Sequence, residues 1–171
     1  VVAPCARSSA HIDSRRRAHD VPRPNREGFG VFYPITPRWN DNDQYGHINN
    51  VIYYEYFDTA VNGWLTDQCG RVTDLDALGV VAETGCRYLN SASFPEPLEV
   101  GMAVLRLGRS SVTYQLAVFP RGGHQPHVVG HFVHVYVDPH SRRPTEVPAR
   151  VAAAVGTLLA TDLSVHELAS R

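Results

Sequence analysis

Asp41, Asp43, Gly46, His47, Asn49 and Asn50 crowd into one short polar stretch of this 171-residue chain. A carboxylate in such a loop can attack a carbonyl carbon or take a proton from water. The segment that follows has helical spacing. Its first N–H groups therefore lack intrahelical partners and, with the macrodipole, can steady an oxyanion. Gly46 lets the chain turn tightly between the two. One short segment thus offers both halves of a hydrolysis at an activated carbonyl. The same residue types also have a purely structural use. Asp41 and Asp43 can close Asx-turns, and either Asn49 or Asn50 can cap the helix. His47 can donate to Asp43 or to a substrate carbonyl, or orient a water, or simply pack where the helix begins.

The elements that must hold this stretch can be read on both sides of it. Residues 29–39 have strand character, and Pro34 and Pro37 place that strand at an edge or a bulge. Over about residues 50–68, Tyr53, Phe57, Ala60 and Trp64 recur at helical spacing with Tyr56 beside them, while Glu55, Asp58, Thr59 and Asn62 fall on the other side. Gly63 lies within this helix, and Cys69-Gly70 is a plausible stop. Residues 80–91, 98–107, 111–120 and 127–138 then read as strands, separated by turns at 94–97, 108–110 and 121–124. Residues 148–160 suit a short closing helix with Pro148 near its first turn. A long amphipathic helix needs an apolar surface to cover its stripe, and a curved antiparallel sheet supplies one. The expected class is α+β.

Bulk properties narrow the field. The chain is 43% hydrophobic and 19% charged, with a formal net charge of -1, as expected of one globular domain. That charge makes no case for nucleic acid. No apolar run approaches a membrane span and no secretory leader is legible, so a cytoplasmic protein is expected. Residues 1–26 carry six arginines and two aspartates. A basic, disordered extension is therefore expected over 1–28, the folded domain over 29–162 and a tail over 163–171. All sixteen basic residues are arginine, so a phosphate must be met by Arg, His or backbone N–H groups. Cys5, Cys69 and Cys86 show no CxxC spacing and suggest neither a disulfide framework nor a zinc site. His131 and His134 are three apart in a strand, hence on opposite faces, and cannot grip one ion together. No metal is expected.

The run Arg38-Trp39-Asn40-Asp41-Asn42-Asp43-Gln44-Tyr45-Gly46-His47-Ile48-Asn49-Asn50-Val51-Ile52-Tyr53-Tyr54-Glu55-Tyr56-Phe57 resembles the signature of the 4-hydroxybenzoyl-CoA thioesterase-like family. Further matches lie at Arg87-Tyr88-Leu89, at Leu107-Gly108-Arg109-Ser110-Ser111-Val112 and at His134-Val135-Tyr136-Val137-Asp138. The resemblance spans about residues 30–160. It implies a hotdog fold, in which a curved antiparallel sheet wraps one long central helix. It also implies homodimers or homotetramers with active sites at the dimer interface, and hydrolysis of an acyl-CoA. No cofactor is implied, because coenzyme A is part of the substrate.

By the same match Asp43 takes the place of the catalytic aspartate, as nucleophile or general base, and a backbone N–H near Asn50 that of the oxyanion donor. His47 joins them as a catalytic candidate. Gly46, Tyr53, Arg109 and Ser110 are the substrate-binding candidates, Tyr53 with helix packing as its alternative. Some relatives place their carboxylate on the central helix, which draws notice to Glu55, although its polar face suits a solvated or interface role. Arg87, Arg106, Arg109 and Arg121 are the arginines available for CoA phosphates, each with a solvated surface role as its alternative. Two rival functions remain. Acyl-thioester hydratases of the same fold pair Asp and His in a G-D-x-N-P-x-H context that this chain lacks. An acyl-CoA-binding module without catalysis would have no need of Asp43.

Overall fold

In the computed structural model, residues 25–160 are described. The long helix α1 (Ile52–Cys69) and the short helix α2 (Ala149–Gly156) accompany five strands: β1 (Val31–Ile35), β2 (Leu78–Tyr88), β3 (Leu98–Leu107), β4 (Ser111–Pro120) and β5 (Val128–Val137). The strands form one antiparallel sheet in the order β1-β3-β4-β5-β2. This is the expected element order, and the architecture is the hotdog fold. Expectations for residues 1–24 and 161–171 lie outside the described residues.

Burial follows the two periodicities. On α1, Tyr53, Tyr56, Phe57, Ala60, Val61, Trp64, Leu65 and Cys69 are buried. They meet Leu98, Val100, Met102, Val112, Tyr114, Leu116, Val118, Val128 and Phe132 from alternate positions of β3, β4 and β5. Phe57 is wholly buried, which at ordinary transfer values contributes about 2 kcal/mol. Its ring rests against Gly130, where a Cβ would come within 2.6 Å of both the ring and the Gly85 carbonyl. Only glycine lets helix and sheet approach so closely there.

A smaller cluster of Phe29, Ala103, Ala117, Phe119 and Val129 lies on the other face of the sheet. Asn25 caps a 3-10 turn at Arg26–Gly28. Arg26 stacks 3.7 Å above the Phe32 ring, pairs with Glu99 and donates to the Gly123 carbonyl. Arg26 thereby ties this turn to the sheet.

Where the elements stop differs from the sequence reading, each time for a hydrogen-bonding reason. β1 ends at Ile35, and a 3-10 turn at Trp39–Asp41 follows it. Pro37 supplies no N–H, and Asp41 claims that of Arg38. β2 ends at Tyr88 because Leu89 and Asn90 both turn their N–H groups onto the His127 carbonyl. α2 ends at Gly156, and residues 158–160 run along β3, exchanging hydrogen bonds with Val104. Among the described residues no helix is long and apolar enough to cross a membrane.

Candidate active site

The loop between the Trp39–Asp41 turn and α1 is held at its start by Asp41. Its carboxylate is 1% exposed and accepts three hydrogen bonds, from Arg38 N (2.7 Å), Arg38 Nε (2.9 Å) and Tyr56 Oη (2.8 Å). Burial alone would raise its pKa. The bonds from Arg38 and Tyr56, with the Arg38 charge, outweigh that and hold it below the ordinary carboxylate value. Tyr56 in turn is pushed far up by burial and by that carboxylate. Asp41 also accepts the Asn49 N–H on its backbone carbonyl, at 2.9 Å. It is a structural residue, tied on every side.

Asp43 differs. Its Oδ1 accepts the Tyr45 N–H at 2.8 Å and the His47 N–H at 3.4 Å, an Asx-type turn. Its backbone closes the same loop through Asp43 N–H to His47 O (2.8 Å) and Gly46 N–H to Asp43 O (3.1 Å). Gly46 takes φ +81°, which a side chain would oppose. Oδ2 accepts nothing among the described residues, so the loop holds one carboxylate oxygen and leaves the other without a partner. The His47 ring makes no hydrogen bond to Asp43, and the two are joined through the His47 backbone.

Of the two asparagines, Asn49 rather than Asn50 accepts N–H groups at the start of α1, whose N-cap position, Val51, has no side-chain cap. Asn49 Oδ1 accepts the Val51 N–H (3.1 Å) and the Asn49 carbonyl the Ile52 N–H (3.0 Å). The Asn50 N–H has no partner among the described residues. Asn50 lines a cleft of about 340 Å³ together with His47, Ile48, Tyr53, Tyr88, Leu89, Asn90 and Ser91. An unpaired N–H at the start of a long helix, on the wall of a cleft, is the geometry an oxyanion requires.

The far wall of this cleft was not singled out as functional by sequence reasoning. The only signal was the Arg87-Tyr88-Leu89 match. Tyr88 Oη donates to the Asn50 carbonyl at 3.0 Å, and its ring meets Tyr53 edge-on at 5.8 Å. Burial, then the neighbouring Cys86 and Tyr54, hold the Tyr88 phenol above its ordinary pKa, so it remains a donor at neutral pH. Tyr53 is 2% exposed and stacks edge-on to Tyr56 as well. It is packed on α1 and also lines the cleft.

Arg109 and Ser110 are not brought to this cleft. They line a separate hollow of about 560 Å³ with Pro144, Thr145 and Glu146, and Arg109 pairs with Glu146 at 3.1 Å. This hollow lies at the β3–β4 turn. The ten residues of β3 separate it from the end of the sheet that carries Asn50, roughly 30 Å at strand rise. Glu55 bridges to Arg38 at 2.7 Å on the exposed side of α1, away from the cleft residues. His131 and His134 do face opposite sides. His131 pairs with Glu83, while His134 is buried among Tyr114, Phe132 and Tyr136.

Comparison with known proteins follows the same lines. The thioesterase-like superfamily matches residues 37–155. Among solved structures, the PA5185 protein of Pseudomonas aeruginosa strain PAO1 is 43% identical, with a TM-score of 0.79 over 82% of this chain and 99% of its own. A thioesterase of Thermus thermophilus, solved in complex with coenzyme A and Zn, is 26% identical, with a TM-score of 0.63 over 76% of this chain and 97% of its own. The 1,4-dihydroxy-2-naphthoyl-CoA thioesterase Slr0204 of Synechocystis is 13% identical, with a TM-score of 0.67 over 73% and 94% of the two chains. At that identity it shows the fold alone. By sequence, YsmA of Bacillus subtilis (strain 168) is 26% identical over 88 residues, or 52% of this chain, and the match spans only 60% of YsmA.

Proposed function

This chain belongs to the thioesterase-like superfamily, and from that premise we propose that it hydrolyses the thioester of an acyl-CoA to the free acid and coenzyme A. The observation that carries the reading is the pairing, within one loop, of a carboxylate with a free Oδ2 and a helix-start N–H with no partner among the described residues. The thioester oxygen accepts from the Asn50 N–H, which is favoured further as negative charge grows there and by the dipole of α1. Asp43 Oδ2 then either bonds to the carbonyl carbon or removes a proton from the water that does. In both routes the C–S bond breaks and the CoA thiolate leaves and takes up a proton; in the first, water then cleaves the acyl-Asp43 anhydride and frees the carboxylate, and in the second the activated water has itself become the acid's new oxygen. Coenzyme A bound to the Thermus relative supports this substrate class.

The same reading takes the working form to be a homo-oligomer. β2 is an edge strand of eleven residues, and Val80 and Val81 are exposed on it. Pairing with β2 of a second copy covers that edge. A two-fold antiparallel pairing sets opposite ends of the two sheets side by side. It brings Arg109 and Ser110 of one copy towards the Asp43 end of the other, where CoA phosphates need a cation.

The test is thiol release from a panel of acyl-CoAs by wild type and by Asp43→Asn. Wild type hydrolyses some members, and the near-isosteric variant loses about 100-fold or more in kcat/KM. Binding of acyl-CoA without thiol release by wild type sinks the proposal.

A further inference from the structure

Asn50 stands between two peptide planes, and three of their four polar groups are taken. The Asn49 carbonyl accepts from Ile52 N–H, the Val51 N–H donates to Asn49 Oδ1, and the Asn50 carbonyl accepts from Tyr88 Oη. The fourth group, the Asn50 N–H, is left over. Two of the three fixing bonds are local to residues 49–52, so they shape the turn but do not tie it to the sheet. The third reaches across 38 positions to the end of β2.

The donor of that bond is itself well placed. Tyr88 is 48% exposed, yet its ring is held edge-on by the buried Tyr53 at an interplanar angle of 63°. A hydroxyl on an anchored ring has little freedom, so the carbonyl it holds is fixed in direction. Without the bond, an exposed carbonyl is free to tilt towards water, as carbonyls on the solvent side of helices do. The Asn50 N–H lies in the preceding plane, which shares only the Asn50 Cα with this one, so the bond acts on the N–H by holding that Cα in place against the end of β2. Hydrogen bonds to a developing oxyanion weaken steeply with angle, and oxyanion donors act by being aimed beforehand.

We infer that Tyr88 is a positioning residue, whose hydroxyl aims the Asn50 N–H into the cleft by clamping the Asn50 carbonyl. The inference rests on the thioesterase reading of that cleft. Tyr88→Phe keeps the ring against Tyr53 and removes only the donor. The expected result is a fall in kcat of about ten-fold, with KM within about two-fold of wild type and an unchanged melting temperature. If wild type releases no thiol from any acyl-CoA, the thioesterase reading fails, and the inference goes with it. If wild type is active and Tyr88→Phe matches its kcat, only the positioning role is overturned. A raised KM at constant kcat overturns it too, by making Tyr88 a substrate contact.

Should the phenylalanine variant not fold, 3,5-difluorotyrosine at position 88 keeps ring and hydroxyl but ionises at lower pH. Its kcat then falls as pH rises through that ionisation, a limb that wild type lacks. A profile without the limb refutes the clamp.

Discussion

Asp41 and Asp43 are the same residue type, two positions apart in one loop, and they occupy opposite kinds of surroundings. Around Asp41 the chain is closed: three donors converge on a carboxylate that is 1% exposed, and its charge is consumed in holding Arg38 and Tyr56 together. Around Asp43 the chain is open. One oxygen is bound by the loop's own N–H groups, and the other accepts nothing among the described residues. A carboxylate becomes structural or reactive according to how many of its lone pairs the fold has already used. Asp41 fixes the start of the loop, and Asp43 lies in the open part that follows.

Exchanging each for asparagine separates the two roles. Asp43→Asn carries the largest expected effect, the loss of about 100-fold or more in kcat/KM already stated. Its melting temperature should stay within about 2 °C of wild type, because Asn still accepts the Tyr45 and His47 N–H groups. Asp41→Asn should do the reverse. An amide has one acceptor oxygen for three donors and turns its own NH₂ towards one of them. Breaking the bonds of a buried carboxylate to a half-exposed arginine and a buried tyrosine costs about 2 kcal/mol, visible as a lower midpoint in urea. The folded fraction should keep kcat within a few-fold of wild type. An Asp43→Asn protein that melts early but hydrolyses normally would invert the comparison.

How much of this was legible beforehand depends on the kind of signal. The long helix and the β3–β4 hairpin were readable because periodicity and turn residues are local. β3 and β4 begin and end where the sequence placed them. The ends of β2 and α2 were not readable, because His127 and Val104 decide them from distant parts of the chain. At the site, the loop residues stood out by type and order. Which asparagine accepts N–H groups at the helix start is not legible in the sequence, since both have the chemistry and only geometry chooses Asn49. Tyr88 was visible as part of a motif but not as a partner of Asn50, because no local rule joins a strand end to a helix start.

A buried histidine elsewhere sharpens the contrast between used and unused hydrogen-bonding capacity. His134 is 2% exposed, its Nδ1 has no partner among the described residues, and burial pushes its pKa down to about 4. Its folded value lies below the unfolded one near 6.5, so the unfolded chain binds the extra proton between the two. The stability linked to neutral His134 is therefore complete above about pH 6.5 and is lost as pH falls towards 4. The full span is on the order of 3 kcal/mol. Asp41, held below the ordinary carboxylate value, begins to lose its contribution only at still lower pH. Melting temperatures measured across this window should therefore decline for wild type and flatten for His134→Phe. A decline unchanged in that variant would assign the acid limb to another group.

The smallest expected effect tests the comparison from outside the loop. Glu55 is the one carboxylate on the first turn of α1, and Arg38 joins it to Asp41 by bonding both. Its side chain is 50% exposed, so water screens the pair and competes for it. Glu55→Gln should leave the melting temperature within about 2 °C and hydrolysis within about two-fold of wild type. Arg38 retains Asp41 through two bonds that do not involve Glu55, so the start of the loop stays in place. A collapse of activity in Glu55→Gln without loss of stability would mean that the helix, not the loop, supplies the reacting carboxylate. The open surroundings of Asp43 would then be those of an ordinary surface turn.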